Sequence, residues 1–215
     1  MGQALTGGRF ITFEGGEGAG KTTQIGLLAE ALRNGGQDVL ATREPGGSAD
    51  AEDIRRLLLS GSPERWDGET EALLMVAARR SHLVKTIWPA LAEGRIVLCD
   101  RFSDSTEAYQ GFGHGVPREA LQQLHRLIAG DFAPSLTFVL DLPAAEGLAR
   151  ASARRGGQTR FEEMALDFHE RLRQGFLEIA GREPERCVVI DARGSVAEIH
   201  AALLAVVRQR LGLGG

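Results

Sequence analysis

Lysine is nearly absent from this chain of 215 residues: Lys21 and Lys85 stand against 23 arginines. There is one tyrosine, Tyr109, one asparagine, Asn34, and two cysteines. Basic excess is missing too, since 25 Lys plus Arg face 29 Asp plus Glu for a net charge of −4, which argues against a duplex nucleic-acid binder. No uncharged apolar run reaches the roughly 18 to 20 residues that span a bilayer, so no membrane partner is expected. The first residues lack a basic stretch followed by an apolar core, and the expected location is cytoplasmic. Two cysteines in apolar runs, Cys99 and Cys187, read as buried free thiols rather than a disulfide framework. His82, His114, His125, His169 and His200 show no zinc-ligand spacing, and no G-x-S-x-G supplies a nucleophilic serine.

What is present is alternation. Short apolar runs at Phe10 to Phe13, Val39 to Thr42, Ile96 to Cys99, Leu136 to Leu142 and Val188 to Ile190 predict buried strands. Helical spacing lies between them, with Ile25, Leu28 and Leu32 on one stripe and Val196, Ile199, Leu203 and Val206 on another. The pattern predicts an α/β fold: a three-layer αβα sandwich on a five-stranded parallel sheet, in a single domain over residues 1–215. The Arg- and Gly-rich stretch 150–160 reads as an insertion.

Gly15-Gly16-Glu17-Gly18-Ala19-Gly20-Lys21-Thr22 fits G-x-x-x-x-G-K-[ST] between a strand and a helical pattern. Glycines let successive backbone N–H groups curl around an oxyanion, and the helix N-terminus adds partial positive charge. Lys21 then serves the β- and γ-phosphates, and the Thr22 hydroxyl completes a Mg²⁺ shell. A guanine-specific GTPase is excluded, because its Asn-Lys-x-Asp motif cannot be built around Asn34, which precedes Gly35. A DNA-acting or mechanical ATPase would be larger and more basic, which leaves a small-molecule kinase with its nucleotide still open.

A second constellation follows the third strand: Asp100, Arg101, then Thr106, Tyr109, Gln110 and Gly111. Asp100 at the C-terminal end of a buried strand falls where open α/β sheets bind ligands, and it can hold Mg²⁺ directly or through water. Arg101 can grip a phosphate bidentately. Taken alone, the pair also reads as a polar strand end before a helix start.

With these motifs in view the sequence resembles the bacterial thymidylate kinases, P-loop nucleoside monophosphate kinases, over nearly its whole length. The residues that carry the resemblance are Phe13 to Thr23, Thr42-Arg43-Glu44-Pro45-Gly46-Gly47, Ala77-Ala78-Arg79, Asp100 to Gly111 and Gly130-Asp131-Phe132. It implies transfer of the ATP γ-phosphoryl group to the 5′-phosphate of dTMP, giving dTDP and ADP. By position, Gly15 to Thr23 would hold ATP, and Glu17 would hold the sugar 3′-hydroxyl. Arg101 and Arg55 would bind the acceptor phosphate, and Arg79 and Gln110 would reach the thymine edge. Tyr109 would sit against the sugar and Thr106 near the base, with Glu44 and Pro45 lining the acceptor pocket. A homodimer is implied as well.

The loop interior, Gly16 to Ala19, carries no arginine. The resemblance therefore implies that a closing lid supplies the transition-state cation, from Arg154 or Arg155 with Arg160 close behind, joining Lys21 and Arg101. Two departures stand out: Met75 where the family carries a thymine-stacking Phe, and Ser135 where it often shows Asp. Met75 is either a soft sulfur–aromatic contact to the base or a core residue of its helix. Ser135 is expected to be structural. Alternative readings are a kinase of dUMP or a broader pyrimidine set, and a non-catalytic nucleotide-binding regulator.

Overall fold

The computed structural model describes residues 8–153 and 160–212. Five strands form one sheet: β1 (Arg9–Glu14), β2 (Val39–Arg43), β3 (Ile96–Asp100), β4 (Leu136–Asp141) and β5 (Cys187–Asp191). All pairings are parallel, in the order β2-β3-β1-β4-β5. The expected strands are all present, although Leu142 lies just past the end of β4.

Period-two alternation in β1 explains the layers. Ile11 and Phe13 join Leu136, Phe138 and Leu140 against one helical layer, made by α1 (Lys21–Asn34) and α9 (Val196–Leu211). Phe10, with Val97 and Cys99, faces the opposite side. There it meets the π-helical turn over Leu83–Ile87, which continues α3 (Gly68–His82), and α4 (Trp88–Ala92). Further along that face, α8 (Leu166–Arg182) contributes Phe168, Leu172 and Phe176 around Tyr109 and Val139. The remaining helices are α2 (Ala49–Leu59), α5 (Ser103–Thr106), which runs into a π-helical stretch over Glu107–Gly113, α6 (Arg118–Ala129) and α7 (Ala144–Ser152).

Ile25, Leu28 and Leu32 form the buried stripe of α1 as expected. In α9 the stripe is Ile199, Leu203 and Val207, an i, i+4, i+8 set; Val206 is only partly buried and Val196 is exposed at the helix start. The helix opens on a full capping box, in which the Ser195 hydroxyl accepts from the Glu198 N–H and the Glu198 carboxylate accepts from the Ser195 N–H. Both thiols, Cys99 and Cys187, are buried and free. Ser135 donates its backbone N–H to the Phe10 carbonyl at 2.8 Å, a strand-edge contact.

Strand order positions the site. β1 lies between β3 and β4, so connections leave it in opposite directions and open a crevice at its C-terminal end. Register places Phe13 beside Asp100, and Asp100 beside Arg43. Three strand ends thus deliver their following residues to one place. The layers hold together through full burial of their facing side chains, among them Phe138. Phe138→Ala is expected to cost about 3–5 kcal/mol of unfolding free energy, read as a lower urea midpoint at constant m-value.

Candidate phosphate-binding and acceptor site

The loop after β1 takes its shape from glycines. Gly15, Gly18 and Gly20 have φ of 127°, 69° and 89°, a region that L side chains rarely occupy. Gly18 also packs so tightly that a Cβ there would lie 2.0 Å from the Gly147 carbonyl oxygen. Lys21 opens α1 and folds its ammonium back over the loop, donating to the carbonyls of Gly15 at 3.1 Å and Gly16 at 2.8 Å. Burial, reinforced by the nearby Arg101 cation, lowers its pKa to about 8. Thr22 donates its hydroxyl to Asp100 Oδ2 at 2.8 Å, joining the loop to the end of β3. These two hard oxygens at the mouth of a phosphate cradle suit a magnesium ion carried by a nucleotide.

Arg101 follows directly and is the one non-glycine residue with positive φ among the described residues, at 70°. Its backbone N–H donates to the Phe13 carbonyl at 2.9 Å. One guanidinium nitrogen donates to the Gly15 carbonyl at 3.0 Å and to Ser105 Oγ at 3.2 Å; the other donates to Glu17 Oε1 at 2.9 Å. The guanidinium carbon also lies 5.0 Å from the centre of the Tyr109 ring. Tyr109 donates its hydroxyl to the same Glu17 oxygen at 2.6 Å. Burial disfavours the Glu17 anion, but Arg101, Lys21 and the tyrosine hydroxyl outweigh it and hold the pKa at about 2. Tyr109 itself stays a phenol, because burial and the Glu17 charge push its ionisation well up.

Beneath this cluster is Glu14, buried at the end of β1. It accepts from the Phe102 N–H at 2.7 Å and from the Ser105 hydroxyl, and so clamps the turn that carries Arg101. Burial and the neighbouring Asp104 raise its pKa to about 7.

A cleft of about 460 Å³ runs from Lys21 and Thr22 to the helices opposite. Arg79, buried on α3, forms its far wall. Its Nε donates to Glu44 Oε2 at 2.7 Å, and a terminal nitrogen donates to Thr106 Oγ1 at 2.9 Å. His82 completes the support: Nδ1 lies 3.1 Å from Glu44 Oε1 and Nε2 lies 2.8 Å from Thr42 Oγ1. Burial works against the Glu44 anion, yet Arg79 and His82 lower its pKa overall. Arg55 donates to the Pro45 carbonyl at 2.7 Å and faces the same cleft. Gln110 lines it too, while its amide nitrogen donates to Glu71 Oε1 at 2.6 Å. Met75 is partly buried against the cluster of Tyr109 and Phe161 and also lines the cleft.

Of the sequence-predicted residues, the structure brings together Glu17 to Thr23, Glu44, Pro45, Arg55, Met75, Arg79, Asp100, Arg101, Thr106, Tyr109 and Gln110 around one cavity. Gly15 and Gly16 meet Lys21 through their carbonyls. Arg154 and Arg155 lie outside the described residues. Arg160 is a correction. It is fully buried and ion-paired with Glu71, and it donates to the carbonyls of Leu58 and Pro63, so its donors are spent away from the cleft. Four further residues contribute; Arg150 belongs to the arginine-rich stretch 150–160 read as the lid, and the other three were not anticipated. Arg43 lies inside the quoted Thr42 to Gly47 segment and faces the cleft while pairing with Glu52. Arg150 lines the cavity and donates to the Ala192 carbonyl. Glu14 and Glu71 act from behind, and a single acid in a strand or a first helical turn gives no sequence signal of that.

A family model described as thymidylate kinase matches residues 13–203. A thymidylate kinase of Caulobacter vibrioides is 57% identical over 97% of this chain and 100% of its own length. One of Dinoroseobacter shibae is 55% identical over 92% and 95%. The crystal structure of a thymidylate kinase from Ehrlichia chaffeensis superimposes with a TM-score of 0.77, at 38% identity over 94% of this chain and 99% of that one. The chain belongs to the thymidylate kinase family.

Proposed function

We propose that the protein is a dTMP kinase that transfers the γ-phosphoryl group of ATP to the 5′-phosphate of dTMP. The observation that carries this reading is the placement of Arg101. Its guanidinium touches the phosphate-loop carbonyl of Gly15 and lines the cleft that Arg79 closes at its far end, so one cation borders both nucleotide positions.

The acceptor oxygen is a phosphate oxygen, already ionised at pH 7, so no general base is needed. Catalysis reduces to alignment and charge neutralisation. Lys21 and the loop N–H groups hold the donor's β- and γ-phosphates, and Arg101 and Arg55 hold the acceptor phosphate. Glu17, kept ionised by its cationic neighbours, takes the sugar 3′-hydroxyl. Tyr109 occupies the side of the sugar where a ribose 2′-hydroxyl would go, and Thr106 and Met75 border the base. Thr22 and Asp100 would hold the magnesium ion of ATP, which when bound neutralises phosphate charge. The lid role stays with Arg154 or Arg155 in the 150–160 insertion, since Arg160 is committed elsewhere.

The cleft is assembled by one sheet and its flanking helices, which supports a single domain over residues 1–215. No helix among the described residues is long and apolar enough to cross a membrane, and a cytoplasmic location is part of the proposal. So is a homodimer: Leu127 on α6 is 81% exposed, and Val84 beside it lines the same apolar groove, a surface that a second copy would cover.

Presenting dTMP, dUMP, CMP and GMP separately with ATP and following ADP formation tests the reading. The expected order is dTMP first, dUMP slower, and negligible turnover of CMP and GMP; equal use of all four would contradict it. Arg101→Lys keeps the charge but loses the fork that reaches two partners, and a fall of about a hundredfold in kcat/KM for dTMP is expected. Lys21 gives a pH signature. Bound phosphates favour its ammonium form, so its pKa rises from about 8 on ATP binding. Affinity should therefore be insensitive to this group below pH 8 and fall by up to about tenfold per unit above it, with proton uptake at pH 8.5 in calorimetry.

A further inference from the structure

Glu71 sits in the first turn of α3 with no solvent exposure, directly behind the cleft. Its Oε2 is paired with Arg160. That guanidinium is itself fixed by the carbonyls of Leu58 at 3.1 Å and Pro63 at 2.7 Å. His114 Nε2, at 3.6 Å from Oε1, is the other basic group facing it. A carboxylate held against an arginine accepts hydrogen bonds and donates none. The atom of Gln110 that approaches Oε1 to 2.6 Å must therefore be the amide nitrogen. Chemistry of the partner, not the appearance of the side chain, settles which way the amide points.

The consequence falls on the opposite atom. Gln110 is fully buried, lines the cleft, and its Oε1 has no hydrogen-bond partner among the described residues. A buried carbonyl without a donor is unfavourable, and a ligand that brings one relieves the cost. Arg79, which supplies only donors, lines the same cleft. The base subsite thus offers an acceptor and a donor fixed by groups outside it.

We propose that Glu71, held by Arg160, is a specificity-determining positioning residue: it turns the Gln110 carbonyl into the cleft so that the subsite selects a pyrimidine whose ring nitrogen 3 carries hydrogen beside a carbonyl. Thymine and uracil match this pattern. Cytosine is mismatched at both atoms, presenting an acceptor to Gln110 Oε1 and an amino group to Arg79. Arg160 acts here through Glu71. The inference rests on the dTMP kinase reading.

The test uses full-length enzyme, ATP, dTMP and the 2′-deoxy-5′-monophosphate of 2-pyrimidinone. In that base N3 is an acceptor and C4 carries only hydrogen, so Arg79 meets no amino group. Wild type is expected to prefer dTMP in kcat/KM by about a hundredfold or more. In Glu71→Gln the amide of Gln110 can rotate and offer its nitrogen, and the preference should shrink by about tenfold or more, chiefly through KM. An unchanged preference in a variant with the wild-type circular dichroism spectrum overturns the proposal, since a merely structural role would lower stability without changing the ratio. Should that variant fail to fold, Gln110→Leu leaves the Glu71–Arg160 pair intact and carries the same test: the preference must collapse, and its persistence overturns the proposal. Wild type inactive on dTMP would refute the kinase reading itself, an outcome distinct from either.

Discussion

Arg101 leaves the end of β3 in a left-handed backbone conformation, and its guanidinium bridges the Gly15 carbonyl and the Glu17 carboxylate. A non-glycine residue holds such a conformation only when its surroundings over-determine it, at a cost on the order of 1–3 kcal/mol. The determinants are visible: the Arg101 N–H on the Phe13 carbonyl, the Phe102 N–H on Glu14, and Ser105 between Glu14 and Arg101. The Arg101–phosphate contact in the account depends on this one turn, because it places that charge where the strand end, the phosphate loop and the acceptor cleft meet.

The interactions around the turn are poor devices for stability and good ones for preorganisation. Glu17, Arg101, Lys21 and Tyr109 form a buried polar cluster, and desolvation works against each of their ionised forms. Such clusters rarely repay their own burial in folding free energy. They do hold donors rigid in a site of low dielectric, where aligned charges stabilise a transferring phosphoryl group more than mobile ones do. The stability that tolerates this comes from the two apolar layers, with Phe138, Leu28 and Leu203 on one side and Phe10, Leu83 and Phe102 on the other.

Local signals carried most of the fold and half of the site. Five apolar runs were legible as strands because burial on both faces writes a continuous pattern, and the phosphate loop was legible because its glycines answer a backbone requirement at fixed spacing. The α9 stripe ended on Val207 instead of Val206 because a one-residue shift in a 3.6 period leaves the composition of the helix unchanged. Arg160 was misassigned for a different reason: its partner Glu71 is 89 residues away, and an arginine near a Gly-rich stretch looks the same whether it meets a phosphate or a buried acid. Glu14 and Glu71 were invisible as functional groups, since their effect is exerted through Arg101 and Gln110 and no spacing rule encodes it.

The most direct measurement is a crystal structure with a bisubstrate analogue in which thymidine and adenosine are joined through their 5′-phosphates. The account predicts the Arg101 guanidinium within hydrogen-bond distance of a bridging phosphate oxygen, the Lys21 ammonium on the donor side, and the positive φ at residue 101 retained. A guanidinium turned away from the phosphates, or a relaxed backbone at that residue with the analogue bound, would contradict it.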